Sequence, residues 1–416
     1  MRLRRLAMAI ENGQKRCETC SEKEGFRLKA SAFIRERKLS AQWMIQLILQ
    51  RIYQSLQLHL DRFYEKHTER TVSKQAFSKA RQFLNPEFVR GYADDTAEIA
   101  VKTGGIPGYR GMPLIALDGS GIALENSPEL KEAFGCSGSH KDAATALCSV
   151  AYGPLDHVIY DCRLDRYDCD ERDLAKAHIK RLKELGLGGS LLLFDRGYPS
   201  AEMIAHLYEN GFQFVMRVRK KWNLAADTMR TQGWIRIENE GETYPVRVLK
   251  VRLSTGEMET LVTSLNQKQL PIVNAGALYF ERWKVETAYD LLKSKMQLEN
   301  FSGKTRVSVL QDFYATIYLS NLVAFAAADA DEEIATADEG KLLKHKRQAS
   351  RNRTVAKLRD IFLCLLMEPD AQARRNMLDN LISSIARYPV AIVPDRSPPR
   401  KPPRMKRFFL ARKSVV

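Results

Sequence analysis

Residues 190–198 read SLLLFDRGY. Four apolar side chains in a row, in a run too short for a helix, fit a strand covered on both faces. Helix and strand alternate on its C-terminal side. SAEMIAHLYENG (200–211) has the texture of a helix and FQFVMRV (212–218) that of a strand. On its N-terminal side, ERDLAKAHIKRLKELG (171–186) is an amphipathic helix closed by a glycine. Farther upstream, strands follow one another directly. MPLIALDGSGIAL (112–124) carries a turn signal at Gly119, and AATALCSVAYG (143–153) meets HVIYDCRL (157–164) at the turn GPLD. A strand meander followed by strand–helix alternation predicts a mixed α/β sheet with helices on its faces.

Around this core, occupying 106–217, the texture changes. Residues 1–105 predict helices. AQWMIQLILQRIYQSLQLHLDRFYEKH (41–67) has an apolar stripe at helical period. In TVSKQAFSKARQFLNPEFVRGY (71–92), Thr71 or Ser73 caps a helix expected to stop before Pro86. Arg70, Lys74, Lys79 and Arg81 make that segment basic. It reads equally as a DNA-recognition element or as a basic helix packed on its neighbours. Short strands (GWIRIE, YPVRVLKVRL, METLVTSL) fill 218–272, a β-rich insertion. Helix returns over 273–325, and AAADADEEIATADEG (326–340) reads as an acidic linker opening a basic C-terminal region, 326–416.

The chain of 416 residues carries a net charge of +16 and is 44% hydrophobic, so it has both a core and a reason to meet a polyanion. Eight Lys or Arg fall within 341–359 and eight within 396–413, where the Pro-rich tail reads as a loose segment. Neither a secretory apolar segment nor a run of about 20 apolar residues stands out, which predicts a cytoplasmic protein with no membrane partner. Cys17 and Cys20 form a lone CxxC without partners at zinc spacing.

Three acids stand out. Asp118 ends LIALD and Asp195 ends LLLFD, each after a buried-strand run, where open α/β sheets place their sites. Capping of the next turn is the bland alternative for either one. The third lies in YFERWKVETAYDLLK (279–293). At about 100° per residue, Tyr279, Arg282, Glu286 and Lys293 fall at about 0°, 300°, 340° and 320°, one polar stripe. Val285, Ala288, Leu292 and Met296 form the opposite, apolar side. Glu281 points away, and Asp290 is the second choice of acid. The alternative is a solvated face with Arg282 and Glu286 as an ordinary i,i+4 pair. Three converging carboxylates repel unless a cation neutralises them, and oxygen-only ligation suits Mg²⁺ or Mn²⁺. Two such ions serve phosphodiester chemistry, with Arg and Lys beside them gripping phosphates and Tyr279 donating its hydroxyl to one.

LIALDGS, LLLFDRGY and LYFERWKVETAYDLLKSKMQLENFSGKT resemble, in order, the three acidic motifs of bacterial insertion-sequence DDE transposases. The last resembles the subgroup with Tyr-x2-Arg-x3-Glu-x6-Lys, met here by Tyr279, Arg282, Glu286 and Lys293. The resemblance, covering about 105–360, implies an RNase H-like catalytic core with a β-rich insertion between the second Asp and the Glu. It implies Asp118, Asp195 and Glu286 as catalytic ligands of two Mg²⁺ or Mn²⁺ ions, and Tyr279, Arg282 and Lys293 on DNA phosphates. It also implies cut-and-paste transposition through a hairpin, by a homodimer on double-stranded DNA. Trp283, beside the stripe at about 40°, reads as a stacker for a displaced base or as a core aromatic. A nuclease without strand joining and an inactive DNA-binding protein are the competing functions.

Overall fold

In the computed structural model, which describes residues 5–34, 39–51, 55–67, 71–138, 143–252 and 257–393, LLLF forms a central strand of a mixed sheet. Two of that sheet's strands, Gly108–Tyr109 and Cys136–Ser137, have only two residues. The others are β1 (Met112–Ala123), β2 (Ala143–Tyr152), β3 (Ile159–Arg166), β4 (Leu191–Phe194), β5 (Gln213–Arg217), β6 (Gln232–Asn239), β7 (Glu242–Arg252) and β8 (Met258–Thr263). They lie in the order β3-β2-β1-β4-β5-β8-β7-β6. β1, β4 and β5 are parallel, and β2 is antiparallel to both β1 and β3. The first five strands thus have RNase H-like topology. All four residues of β4 are buried, as its composition demanded. The strands of 218–272 continue the same sheet: β8 pairs antiparallel with the outer edge of β5, through Leu261↔Arg217 to Thr263↔Val215. That pairing covers an edge that would otherwise be open.

Helices surround the sheet. α1 (Arg5–Glu18), α2 (Ala41–Leu49), α3 (Leu56–His67), α4 (Lys74–Arg81) and α5 (Pro86–Lys102) precede it. α6 (Pro128–Phe134), α7 (Glu171–Glu184), α8 (Ala201–Glu209) and the short α9 (Leu224–Thr228) lie between strands. α10 (Ile272–Phe280), α11 (Lys284–Asp290), α12 (Arg306–Asp338), α13 (Arg351–Met367) and α14 (Ala371–Ala386) follow. α12 is the axis of the helical part: α1, α2, α5, α13 and α14 all pack on it. One continuous apolar cluster runs from Leu6 through the sheet to Ile385, so the N-terminal helices share their core with the sheet. α12 has the length and hydropathy of a membrane span, yet 89% of its most apolar window is buried inside the protein. A helix apolar all round is a core helix when neighbours cover it on every side.

Several expectations need correction. The glycine at 119 does not turn the chain; β1 continues through it to Ala123, still paired with β2. The acidic linker is the C-terminal part of α12, where Ala330 and Ile334, one turn apart, keep packing. Ala and Glu are good helix formers, which compensates for the acids. The expected stop before Pro86 holds: α4 ends at Arg81, and Pro86 opens α5, with the Asn85 side chain accepting from the Glu87 N–H. Ser73, not Thr71, caps α4, accepting from Ala76 N–H. Arg70 and the tail from 394 lie outside the described residues.

Of the two readings of the basic N-terminal segment, packing accounts for Arg81. Its guanidinium is buried and bonds Gln311, Ser302, the Ser308 carbonyl and Asp312. Arg51, equally buried, reaches the other oxygen of Asp312 at 3.3 Å. Lys74 and Lys79 stay exposed.

Candidate active site

Register brings two of the acids side by side. β1 and β4 pair from Leu114↔Leu191 to Leu117↔Phe194. Asp118 and Asp195 each follow the last pair, so their backbones stand about one strand spacing, 5 Å, apart. β4 ends at that point while β1 goes on, which leaves the flank of β1 open beside Asp118.

The helical stretch 272–295 closes the open flank. It is not one regular helix: α10 gives way to a 3₁₀ turn at Glu281–Trp283, then α11, then a π turn at Leu291–Lys295. Tight and wide turns re-aim side chains, and π turns gather at functional sites. Tyr279 and Arg282 become buried, Lys293 half-buried and Glu286 exposed. The Arg282 guanidinium lies 3.7 Å from Asp118 Oδ2 and 3.1 Å from Glu286 Oε1, bridging the two acids. Its Cζ stands 5.7 Å over the Tyr279 ring. The Tyr279 hydroxyl donates toward the Phe194 carbonyl at 3.3 Å and Asp195 Oδ1 at 3.4 Å. Lys293 Nζ donates to Ser120 Oγ at 2.7 Å and the Gly121 carbonyl at 2.8 Å, two rungs along β1 from Asp118. All six expected residues therefore meet at one edge of the sheet, joined through Arg282, Tyr279 and Lys293. Asp290, the second choice, instead accepts from Ser294 Oγ on its own helix. Trp283 is not a core aromatic: it is 39% exposed and stacks on Phe280, itself 62% exposed, at 5.9 Å and 22°.

Electrostatics mark the same place. Burial pushes the Asp118 carboxyl up to about 7, with Asp195 and Glu286 adding to it, although Arg282 and the Gly119 N–H pull the other way. Burial works against charge on Arg282, yet Tyr279 and the three carboxylates hold its guanidinium above the ordinary value. The donors suit Mg²⁺ or Mn²⁺: three carboxylates and no sulfur or imidazole. As they stand, Arg282 supplies the positive charge between them, and no three acids among the described residues are drawn close enough to hold an ion. Cys17 and Cys20 are free and buried, and burial pushes the Cys17 thiol up to about 12.

Two features escaped the sequence. Tyr289, inside the quoted helix, donates its hydroxyl to the Asp118 carbonyl at 2.8 Å and the Cys148 carbonyl at 3.0 Å, pinning α11 to β1 and β2. Its angle on the helical wheel, about 280°, borders the polar stripe and was the available signal. Ser149, His178 and Asp161 form a hydrogen-bonded series, 3.0 Å and 2.7 Å, with the geometry of a nucleophilic triad. All three are fully buried, so no substrate reaches them, and the series ties α7 to β2 and β3.

A family model described as the transposase DDE domain matches residues 109–322, more than half of the chain and all six site residues. The chain belongs to the transposase DDE domain family. Within this chain the DDE domain thus begins just before β1 and ends inside α12. The chain is similar to a putative transposase, y4zB, of Sinorhizobium fredii (strain NBRC 101917 / NGR234), 25% identical over 190 residues, 41% of this chain and 52% of that one. It is 22% identical over 275 residues to the transposase InsG for insertion sequence element IS4 of Escherichia coli (strain K12), 61% of each chain. It thus spans between half and two thirds of the length of these relatives. The cryo-EM structure of the piggyBac transposase synaptic complex with hairpin DNA shares 13% identity and a TM-score of 0.45, over 89% of this chain and 82% of that one.

Proposed function

We propose that this DDE-domain protein is a DNA transposase that cleaves and joins strands at insertion-sequence ends. One observation carries the reading: Asp118 and Asp195 stand on adjacent parallel strands just past their last shared rung, and Arg282 links Asp118 to Glu286. Asp118, Asp195 and Glu286 would hold two Mg²⁺ or Mn²⁺ ions. Such ions, when bound, supply neutralisation of the three acids, activation of the attacking oxygen and stabilisation of the leaving one.

The chain's own side chains do the rest. Arg282 is pre-placed by burial and by its two carboxylate partners. With an ion neutralising those acids, its planar fork would be free to grip a substrate phosphate. Tyr279 aligns Asp195 by donating its hydroxyl proton to Oδ1, and a phosphate oxygen would compete for that same proton. Lys293 fixes the strand beyond Asp118 and adds a point charge to the phosphate track. The exposed Phe280–Trp283 pair is a stacking platform for a base displaced at the cut. The finer reading is the Tyr-Arg-Glu-Lys subgroup, working by cut-and-paste through a hairpin. A homodimer on double-stranded DNA in the bacterial cytoplasm gives one active site to each end.

The test mixes the protein with DNA carrying its element's terminal inverted repeats and Mg²⁺. Nicks at the ends, hairpins and joined products are expected, and Glu286→Gln keeps DNA binding while losing all three. Cleavage without hairpins or joined products means a plain nuclease; intact DNA with folded protein contradicts enzymatic function.

A further inference from the structure

A third parallel strand ends beside the two that carry acids. β4 and β5 pair from Leu191↔Gln213 to Phe194↔Met216, so Arg217 flanks Asp195 on the side away from Asp118. The chain leaves β5 through Val218, Arg219, Lys220 and Lys221, at about two strand spacings, 10 Å, from β1. The two arginines nearest the acids are engaged: Arg282 bridges Asp118 and Glu286, and Arg217 pairs with Glu259 of β8 at 2.6 Å. Arg219, Lys220 and Lys221 differ. They are exposed, as is Arg196 directly after Asp195, and none of these four side chains has an ion pair or hydrogen bond among the described residues. The loop is nonetheless shaped. Val218 N–H donates to the Thr260 carbonyl, Trp222 N–H to the Arg219 carbonyl at 3.3 Å and Lys221 N–H to Asp227 Oδ2 at 2.8 Å. Lys221 sits at φ 65°, a left-handed conformation that glycine adopts freely and a lysine adopts at a cost. A turn alone is better served by glycine there; a phosphate contact needs the ammonium.

We infer that Arg196 and the Arg219–Lys221 loop grip the phosphates of the DNA strand on one side of the cut, while Lys293 serves the other side. This rests on the reading of Asp118, Asp195 and Glu286 as the cleavage centre. A strand whose scissile phosphate lies at those acids leaves them in two directions. Lys293 stands on the β1 flank, at Ser120 and Gly121, and the loop stands on the β5 flank. Free cations spaced along a loop match the charge of a phosphate backbone, and such contacts position DNA without reading its sequence. The loop is therefore a track for whatever DNA adjoins the cut, independent of its bases.

The experiment measures binding of the full-length protein, in EDTA so that nothing is cut, to a duplex carrying the transposon end and DNA beyond it. Arg219→Ala, Lys220→Ala and Lys221→Ala combined should weaken binding about tenfold or more and make the log–log salt slope shallower by about 2 to 3, at about 0.9 per phosphate. The thermal midpoint should not move, because the three side chains are exposed. Lys293→Ala should weaken binding as well. Cutting the duplex back to the cleavage position from one side should erase the defect of the triple variant and leave that of Lys293→Ala; cutting back from the other side should do the reverse. Scrambling the bases on the side that the loop grips should leave the triple variant's defect unchanged. Wild-type affinity and slope in the triple variant would overturn the inference, and so would loss of both defects on the same truncation. A wild type without salt-dependent affinity for the uncut duplex would instead overturn the transposase reading itself.

Discussion

Arg282 is a buried cation standing between two acids, and that position sets its behaviour. Removing it takes away the cation that bridges Asp118 and Glu286. Arg282→Ala should therefore bind Mn²⁺ more tightly than the wild type in the absence of DNA, by about tenfold for each 1.4 kcal/mol of relieved competition. It should nevertheless lose strand cleavage, because the phosphate clamp is gone. A calorimetric titration that shows weaker Mn²⁺ binding in Arg282→Ala would contradict the charge exchange. Tyr289 is a second residue-scale handle. Tyr289→Phe removes the bond to the Asp118 and Cys148 carbonyls and should cost about 1 kcal/mol, read as a lowered thermal midpoint. These residues differ in how far the sequence exposed them. The four-residue stripe was legible because its spacing is helical and its chemistry unusual. Tyr289 hid because a tyrosine at the margin of an apolar side reads as packing.

Among elements, strands were read best where burial alone decides them, as in LLLF. β1 was misread at Gly119, since a glycine inside a strand resembles a turn until the paired neighbour β2 is known. The acidic end of α12 was misread for the converse reason: local charge suggested a linker, while Ala330 and Ile334 still faced a partner. Regular 3.6-residue winding placed the stripe on one side, whereas the stretch carries a 3₁₀ turn at Glu281–Trp283 and a π turn at Leu291–Lys295. Elements are also joined by two buried acids. Burial opposes ionisation of Asp312, and Arg81, Arg51 and bonds from Ser302 outweigh it, holding its carboxyl below the usual range. Asp161 is held down in the same way by His178, Arg163 and Arg90. The unfolded chain thus binds these protons more readily than the folded one. Their stabilisation is complete above the ordinary carboxylate value of about 4 and is lost as pH falls through the lower folded values. The pH dependence that these two acids carry lies below about 4, so thermal midpoints should drop steeply there; a profile flat from pH 4 to 3 would contradict this account of the two acids.

For the whole molecule, the fold class was legible in the sequence. The helical flank, the sheet and the insertion strands share one core and one continuous sheet, which periodicity within segments does not reveal. The charge of +16 belongs to this scale as well. If it serves DNA, affinity falls with salt at about −0.9 in log–log slope per phosphate neutralised, so a slope of about −5 or steeper is expected for six or more contacts. Fluorescence anisotropy on an end duplex across a salt series reads it; a slope near zero would assign the charge elsewhere.

The most direct test of the central claim is the anomalous signal of Mn²⁺ in crystals of the protein bound to a transposon-end duplex. Peaks are expected within about 2 Å of carboxylate oxygens of Asp118, Asp195 and Glu286, with the Arg282 guanidinium turned to a phosphate. No peak at these acids, with Arg282 still bridging Asp118 and Glu286 on bound DNA, would contradict it.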